Sequence, residues 1–586
     1  MSSTVSPSGL DKATFQALVA SFGFQMAPQD EADYCTLVKA MEDEVREVEA
    51  LPAYVDPRLA PSVATPVADR TYAVPDKAAN PLNAWSHRFT LKDAAAVSTG
   101  ILAGRTVALK DTVAVAGIPL TLGTHPYQLT NSPNQPFPIP SIDAPIVTRL
   151  VESGGVVVGT STCENFCMSG LSDTSASGPV DNPWLVGHAA GGSSSGSGVL
   201  TAIPAVEKWR KTRGLPVGDN GPGVDLAIGG DQGGSIRLPA AYSGVYGLKP
   251  TRGLVPYTGI ASLHPLCDHA GPMASSVADV ALLLSAIAGH DGLDPRATPE
   301  TPTRKNAPAY HEQLKAAIAA KESRGAWTPA TAGNGLRVGL LKEGLALPKL
   351  DPNVAAIVRA AAAKFESLGA TVVDVSVPLH SKGGAIWTAA MRGVMSDVLL
   401  AGKAPDLLAY TTTDVAAPPL TQDWYEKMTA ASPMVVTAAL GSAYLGDTTR
   451  YPHRYRSKAV SHVVQLQAAY DAVLNSDVDV LLLPVTPSVA LPHTITAAGR
   501  PPGTSLLEQY QANLGVSDNT SPFNITGHPA LAMPGGWAPA PSMDGAESPG
   551  KLPVGIQLVG KHHDELGVLL AASIWEVGGL GLDEEC

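Results

Sequence analysis

Two glycine-bracketed serine clusters lie close together in this chain, and a lysine closes a β-prone run well ahead of them. Gly191 to Gly198 reads Gly-Gly-Ser-Ser-Ser-Gly-Ser-Gly, and Gly229 to Arg237 reads Gly-Gly-Asp-Gln-Gly-Gly-Ser-Ile-Arg. Glycine lets the backbone take positive φ and approach a substrate closely. A run of forward-pointing amides in such a loop makes an anion-binding concavity. Hydroxyls set in that cradle point to acyl transfer. The first stretch alone also reads as a flexible linker, and the second stretch breaks that tie.

A serine nucleophile needs a base, and two constellations compete. One is a Gly-x-Ser-x-Gly elbow, Gly192 to Gly196 with Ser194 at its centre. An elbow must follow a buried strand and open a helix, and Pro183 to Ala190 does not read as a strand. His188, His264 and His269 are its candidate bases. The other constellation uses Lys110, at the end of Gly104 to Asp111, as the base of a Ser/Lys pair. Alone, Lys110 beside Asp111 also reads as a surface ion pair.

The elements that must position these residues alternate. Gly104 to Asp111 and Gly155 to Gly159 read as strands, with a helix between them opened by Asp143 and Pro145 and stopped by Gly154. A strand is expected over Val224 to Ile228, and Ser276 to Ile287 reads as a helix capped by Ser276 and Asp279. Residues 292–335 read as a surface crossing with a helix over Tyr310 to Lys321. Strands follow at Leu336 to Leu341, Thr371 to Val377, Val478 to Leu483, Ala530 to Met533 and Pro553 to Val559. A helix opened by Pro352 and a last one through Leu566 to Ile574 complete the pattern. The alternation predicts an α/β fold, a single mixed or mostly parallel sheet covered by helices on both faces.

Ahead of this body, Asp11 to Leu51 carries two apolar stripes of helical period, Phe15, Leu18, Val19 and Phe22, then Leu37, Val38, Met41, Val45 and Val48. Proline then crowds the chain to Asn83 and periodicity is lost. We therefore expect a helical extension with linker over residues 1–84 and a catalytic body over 85–586. The extension suits docking or dimerisation, or packing on its own core.

Among 586 residues, 45% are hydrophobic and 16% charged, which provides for a large packed core. A net charge of −13 disfavours nucleic acid. No run of apolar residues is long enough for a membrane span. Nor does the N-terminus resemble a signal peptide. Five scattered cysteines, Cys35, Cys163, Cys167, Cys267 and Cys586, suit a reducing compartment, so the cytoplasm is expected. Cys163 and Cys167 lack a second zinc-spaced pair and read as core packing.

The long stretch Ala189 to Gly198, Asp225 to Ala241 and Gly247 to Pro256 resembles the amidase signature family. Ala108 to Thr112, Asn182 to Trp184, Pro484 to Pro487, Pro522 to Pro529 and Gly555 to Gly560 are similar to further landmarks in the family's order. Asn80 to Trp85, Cys163 to Cys167 and Gly253 to Gly259 with Asp268 and His269 resemble the enantioselective amidases found with nitrile hydratases. This resemblance implies Ser235 as nucleophile, Ser193 as a bridging serine after a cis peptide, and Lys110 as base. It also implies an oxyanion hole from the amides of Gln232, Gly233, Gly234 and Ser235. Asp231 and Arg237 flank that turn and either hold it or form a plain surface pair, and Ser195 reads as a support.

A lysine base must be neutral, which burial favours. The implied activity is hydrolysis of a small-molecule amide through an acyl-enzyme, without metal or cofactor, and the implied partner is a second copy of the chain bound through the N-terminal helices. The alternatives are carbamate or ester hydrolysis, an inactive scaffold, or one component of an amidotransferase. One departure stands out: the spacing from Ser193 to Ser235 exceeds the family's. The excess, Ala205 to Gly223, reads as a surface excursion able to cover or line a substrate entrance. Trp387, Met391, Met395, Tyr410, Trp424, Tyr425, Met428 and Tyr444 are candidates either to line a pocket or to fill core.

Overall fold

Along the strand Thr106–Lys110, successive side chains point to opposite faces, and that alternation sorts the whole molecule. Val107 and Leu109 enter one apolar cluster while Ala108 enters another, so Lys110 shares the face of Ala108. The same holds for the neighbouring strand Leu226–Asp231, where Leu226 and Ile228 face the first cluster and Ala227 the second. Asp231 therefore faces the same way as Lys110.

A computed structural model describes residues 9–52, 54–400, 415, 420–447, 449–451, 454–493, 505–542, 550–579 and 582. Tyr410 and Cys586 lie outside the described residues. The strands are β1 (Trp85–Leu91), β2 (Thr106–Lys110), β3 (Val156–Ser161), β4 (Leu226–Asp231), β5 (Tyr246–Lys249), β6 (His269–Ala274), β7 (Arg337–Leu341), β8 (Thr371–Val375), β9 (Val480–Pro484), β10 (Ala530–Pro539) and β11 (Lys551–Val559). They form one sheet in the order β1-β3-β2-β4-β6-β5-β10-β11-β9-β7-β8. β3, β2 and β4 run parallel, as do β9, β7 and β8, and the pairs between these blocks are antiparallel. The expected mixed sheet with helices on both faces is what the chain forms.

Two compact units are distinguished, Met1–Arg58 and Leu59–Cys586. The first contains helices Lys12–Ser21 and Pro28–Glu49. Asp11 caps the first by accepting from the Thr14 N–H. Phe15 and Val19 are buried, whereas Leu18, Phe22, Leu37, Met41, Val45 and Val48 are exposed, so much of the apolar stripe is left uncovered.

Two local expectations are corrected. Asp143 does not cap the helix Pro145–Glu152; it is taken by a bidentate ion pair with Arg70 and by the Ala116 N–H. The excursion after Ala205 is at first helical, because helix Ser195–Thr212 runs straight through Pro204. Proline has no N–H for the carbonyl four residues back, and the Val224 N–H takes that Leu200 carbonyl instead, at 2.9 Å. Gly223 permits the approach, since a Cβ there would sit 2.7 Å from Pro204 Cδ. Trp209 of this segment packs edge-on to Trp184 and beside Trp537, and its indole donates to the Leu582 carbonyl.

Candidate active site

β2 ends with Lys110 wholly buried. Its Nζ lies 2.8 Å from Ser193 Oγ and donates to the Gly230 carbonyl at 3.2 Å. Asp111, one residue on, turns the other way and accepts from Ser86 and Thr121. The surface ion pair open to Lys110 on sequence grounds is therefore not what forms.

Ser193 follows a cis Gly192–Ser193 peptide bond. Its carbonyl accepts the Glu164 N–H, and the next amide, that of Ser194, donates to the Ser235 carbonyl at 3.2 Å. That bond ties the two serine loops together. Gly192 is required here by space, because a Cβ would fall 2.1 Å from the Leu171 carbonyl oxygen. Ser194, centre of the apparent elbow, donates to the Gly230 carbonyl and accepts the Gly230 N–H, so it braces backbone. Ser195 donates to Glu164.

The three histidines considered as bases are engaged elsewhere. His188 meets the Pro541 carbonyl, His269 the Cys267 carbonyl, and His264 the Leu266 N–H. Burial, with the Arg456 charge, pushes His264 down to about 4.

The turn after β4 is fixed from behind. Trp387 donates to the Gln232 carbonyl at 3.0 Å and Thr520 Oγ to the Gly233 carbonyl at 2.6 Å. In a planar trans peptide the following N–H points opposite to the carbonyl. Pinning the Gln232 carbonyl thus turns the Gly233 amide away from Trp387. The Gly234 N–H instead donates to Asp231 Oδ1 at 2.7 Å, so of the four amides proposed for an oxyanion hole this one is spent inside the turn. Gln232, Gly233 and Ser235 line the adjoining cavity; Gly234 does not.

Asp231 and Arg237 form a bidentate pair, each side chain fully buried. It is no surface pair. Arg237 also donates to Gln557 and Asn524, and Asn524 Nδ2 returns a bond to Asp231. Burial alone would raise the Asp231 carboxyl, but the Arg237 guanidinium outweighs it and holds the group well below the usual carboxylate range.

Two residues beside the serines carry chemistry that periodicity did not reveal. Glu164 is buried, and burial, helped by the charge of Asp173, pushes it up to about 8 against bonds from Thr174 and Ser195. Cys167 is not core packing. The Asn165–Cys167 turn is a single 3-10 turn with Phe166 and Cys167 at positive φ, which brings Cys167 to the cavity wall while Cys163 stays buried. Its thiol is pulled below the ordinary range, first by Cys163 and then by Lys110 against the effect of burial, while Cys163 is raised.

The cavity beside Ser235 measures about 750 Å³ and is walled by Met168, Leu238, Trp387, Arg392, Tyr455 and Tyr510, among others. A smaller one of about 420 Å³ lies on the Asp111 side, lined by His87, Thr121 and Cys163, without Ser235. Of the large residues singled out in sequence, Trp387 lines the larger cavity. Met391, Met395, Trp424 and Met428 fill a separate apolar cluster with Leu120 and Phe166, and Tyr425 and Tyr444 are exposed. No residue of the Ala205 to Gly223 excursion lines the larger cavity.

A family model described as Amidase matches residues 59–207 and 221–569. The chain belongs to the amidase signature family. The gap between the matched segments falls inside the excursion carrying Trp209. The chain is similar to an enantioselective amidase of Rhodococcus rhodochrous, 34% identical over 92% of this chain and 91% of that one. It is also similar to one component of the glutamyl-tRNA(Gln) amidotransferase of Synechococcus sp. (strain CC9605), 32% identical over 82% of this chain and 84% of the relative.

Among solved structures it resembles the peptide amidase of Stenotrophomonas maltophilia, with a TM-score of 0.56, 27% identity, and 81% and 83% of the two chains covered. The fold is also shared with a bacterial aryl acylamidase, with a TM-score of 0.58, 20% identity, and 82% and 83% covered. The protein is thus an amide-hydrolysing enzyme by family. Among the described residues, no helix of this amidase is long and apolar enough to cross a membrane.

Proposed function

We infer that this amidase cleaves carboxamides through a covalent acyl-serine. Ser235 Oγ attacks the carbonyl carbon, and its proton passes through Ser193 to Lys110. The C–O bond forms as the carbonyl π electrons move to oxygen, where the amides of Gln232, Gly233 and Ser235 stabilise the negative charge; such donors are typically worth about 10²- to 10³-fold each. Collapse of the tetrahedral species breaks the C–N bond, and the leaving amine takes the proton back by way of Ser193. Water then attacks the ester by the same relay and releases the acid. Asp231, Arg237 and Ser195 act as supports, holding the turn and the Ser193 loop.

The 2.8 Å contact between buried Lys110 and Ser193 carries this reading, since no solvent competes for that proton. Incubation with a fluorophosphonate probe and peptide mapping tests it: label on Ser235 is expected, and label absent from Ser235 in an active preparation overturns it. Hydroxylamine trapping of the acyl group as a hydroxamate distinguishes the covalent route from direct attack by water. The tyrosines and apolar walls of the cavity favour amides with a bulky acyl or aryl group. Esters or carbamates would use the same residues, and hydrolysis rates on a matched amide, ester and carbamate panel separate them. Turnover of simple amides by the purified chain alone counts against a role as one component of an amidotransferase.

The exposed stripe of Leu37, Met41, Val45 and Val48 is our proposed contact for a second copy of this chain. Light scattering of the full chain and of a Met41→Lys, Val45→Lys variant tests it, with a dimer and a monomer as the respective expectations.

A further inference from the structure

Outside the larger cavity, three metal-type ligands converge from separate parts of the chain. Asp471 comes from the helix Arg454–Ser476, His528 from the connection into β10, and His562 from the turn after β11. One donor atom from each lies within 4.8 Å of the other two. His528 Nε2 is 3.1 Å from Asp471 Oδ1, and His562 Nδ1 is 3.5 Å from the same oxygen.

Thr526 orients both rings. Its carbonyl meets His562 Nε2 at 3.0 Å, and its hydroxyl meets His528 Nδ1 at 3.0 Å. A carbonyl only accepts, so the His562 proton resides on Nε2 and the neutral ring turns its Nδ1 lone pair toward Asp471. That leaves two acceptors facing each other. A positive centre between them, a proton or a metal ion, would satisfy both. The hydroxyl can accept from His528 Nδ1–H, which frees Nε2 as a second lone pair. This is the arrangement in which outer hydrogen bonds select the metal-binding tautomer.

We propose that Asp471, His528 and His562 bind one divalent ion of the zinc type. Zinc takes nitrogen and carboxylate ligands at about 2.0–2.2 Å in a tetrahedron, whose edges are then roughly 3.3–3.6 Å. The 3.5 Å separation equals such an edge and the 3.1 Å one falls slightly short of it, and a small shift of the less buried His562 ring would bring the remaining donor pair, already within 4.8 Å, to the same spacing. The Asp471 and His562 side chains are 36% and 25% exposed, so water reaches the fourth position. Two histidines and one carboxylate favour zinc or cobalt over the all-oxygen ions. The ion would clamp the helix Arg454–Ser476 to the ends of two core strands, with no part in amide cleavage.

Chelator-treated full-length protein titrated with Zn²⁺ alone by calorimetry, and with Co²⁺ alone by absorption spectroscopy, tests the proposal. One equivalent should bind and raise the Tm. His562→Ala should abolish binding, and the near-isosteric Asp471→Asn should weaken it about tenfold or more, with circular dichroism and amide hydrolysis unchanged. Absence of binding would mean that a proton alone bridges the contact and overturns the site. Unchanged binding in both variants overturns it too, as does a thiolate-to-cobalt charge-transfer band, which would place the ion on cysteine.

Discussion

Lys110 Nζ lies 2.8 Å from Ser193 Oγ at the end of a strand that is buried from Val107 onward. An arginine cannot give up its proton in a protein, so Lys110→Arg keeps a long hydrogen-bond donor at this position but cannot serve as the proposed base. We expect Lys110→Arg, Lys110→Ala and Ser193→Ala each to lower kcat by about 10²- to 10⁴-fold, the usual range for lost proton transfer. KM should change far less, because neither side chain lines the cavity wall. Steady-state kinetics on one chromogenic amide decides it, and near-normal kcat in Lys110→Arg removes the lysine from the mechanism.

Asp231 and Arg237 form a buried pair that stabilises the fold as well as bracing the turn before Ser235. Removing one partner of a buried pair leaves the other charge uncompensated, at a cost of about 3–5 kcal/mol. Urea unfolding of Arg237→Ala should show a loss of that order. The pH sign follows from the depressed Asp231 carboxyl. Its contribution is fully present above the ordinary carboxylate pKa and is lost as pH falls through the folded value. Wild type should therefore lose stability more steeply below about pH 4 than Asp231→Asn, which starts lower; parallel curves would show that the pair does not titrate as argued.

Much of the frame was readable because its determinants are local. The strand at Thr106–Lys110, the proline-opened helix at Pro352–Ser367 and the capped helix at Val277–Ile287 each carry their own period and stop signals. The glycines around Ser193 and Ser235 likewise advertise a tight approach in their own neighbourhood. Strand β6 gave no such sign. Its His-Ala-Gly-Pro-Met-Ala sequence includes Pro272, which usually marks an edge, yet it lies centrally with Pro272 opposite Ile228. Packing on both faces overrides propensity there.

The partners of the Gln232 to Ser235 turn were hidden for a different reason. Trp387 and Thr520 reach it, and Asn524 reaches Asp231 just before it, from far along the chain, and no window of sequence contains both ends of those bonds. Cys163 and Cys167 read alike as core packing, but positive φ at Phe166 and Cys167 turns the chain so that the second reaches the cavity wall.

Glu164 should make the enzyme less stable as pH rises. Its carboxyl is pushed up to about 8 from an ordinary 4.5, so between those values the folded state holds a proton that the unfolded state has released. Stability then declines across that window and levels off above it. Glu164→Gln keeps a side chain able to bond Ser195 and Thr174 without titrating. The variant's unfolding free energy should be flatter than wild type from pH 5 to 8, and equal slopes would show that Glu164 does not take up that proton on folding.

Cys167 offers a chemical handle on the site. Thiolates, not thiols, react with alkylating agents, and this thiol is pulled below its ordinary range at the wall of the cavity that holds Ser235. Iodoacetamide should therefore inactivate the enzyme near neutral pH, more slowly when a bound competitive inhibitor fills the cavity. Buried Cys163, pushed the other way, should stay unmodified. Cys167→Ser should retain most activity and resist inactivation. Mass spectrometry of the modified protein locates the adduct; inactivation that persists in Cys167→Ser, or an adduct confined to another cysteine, would show that the exposed thiol lies elsewhere.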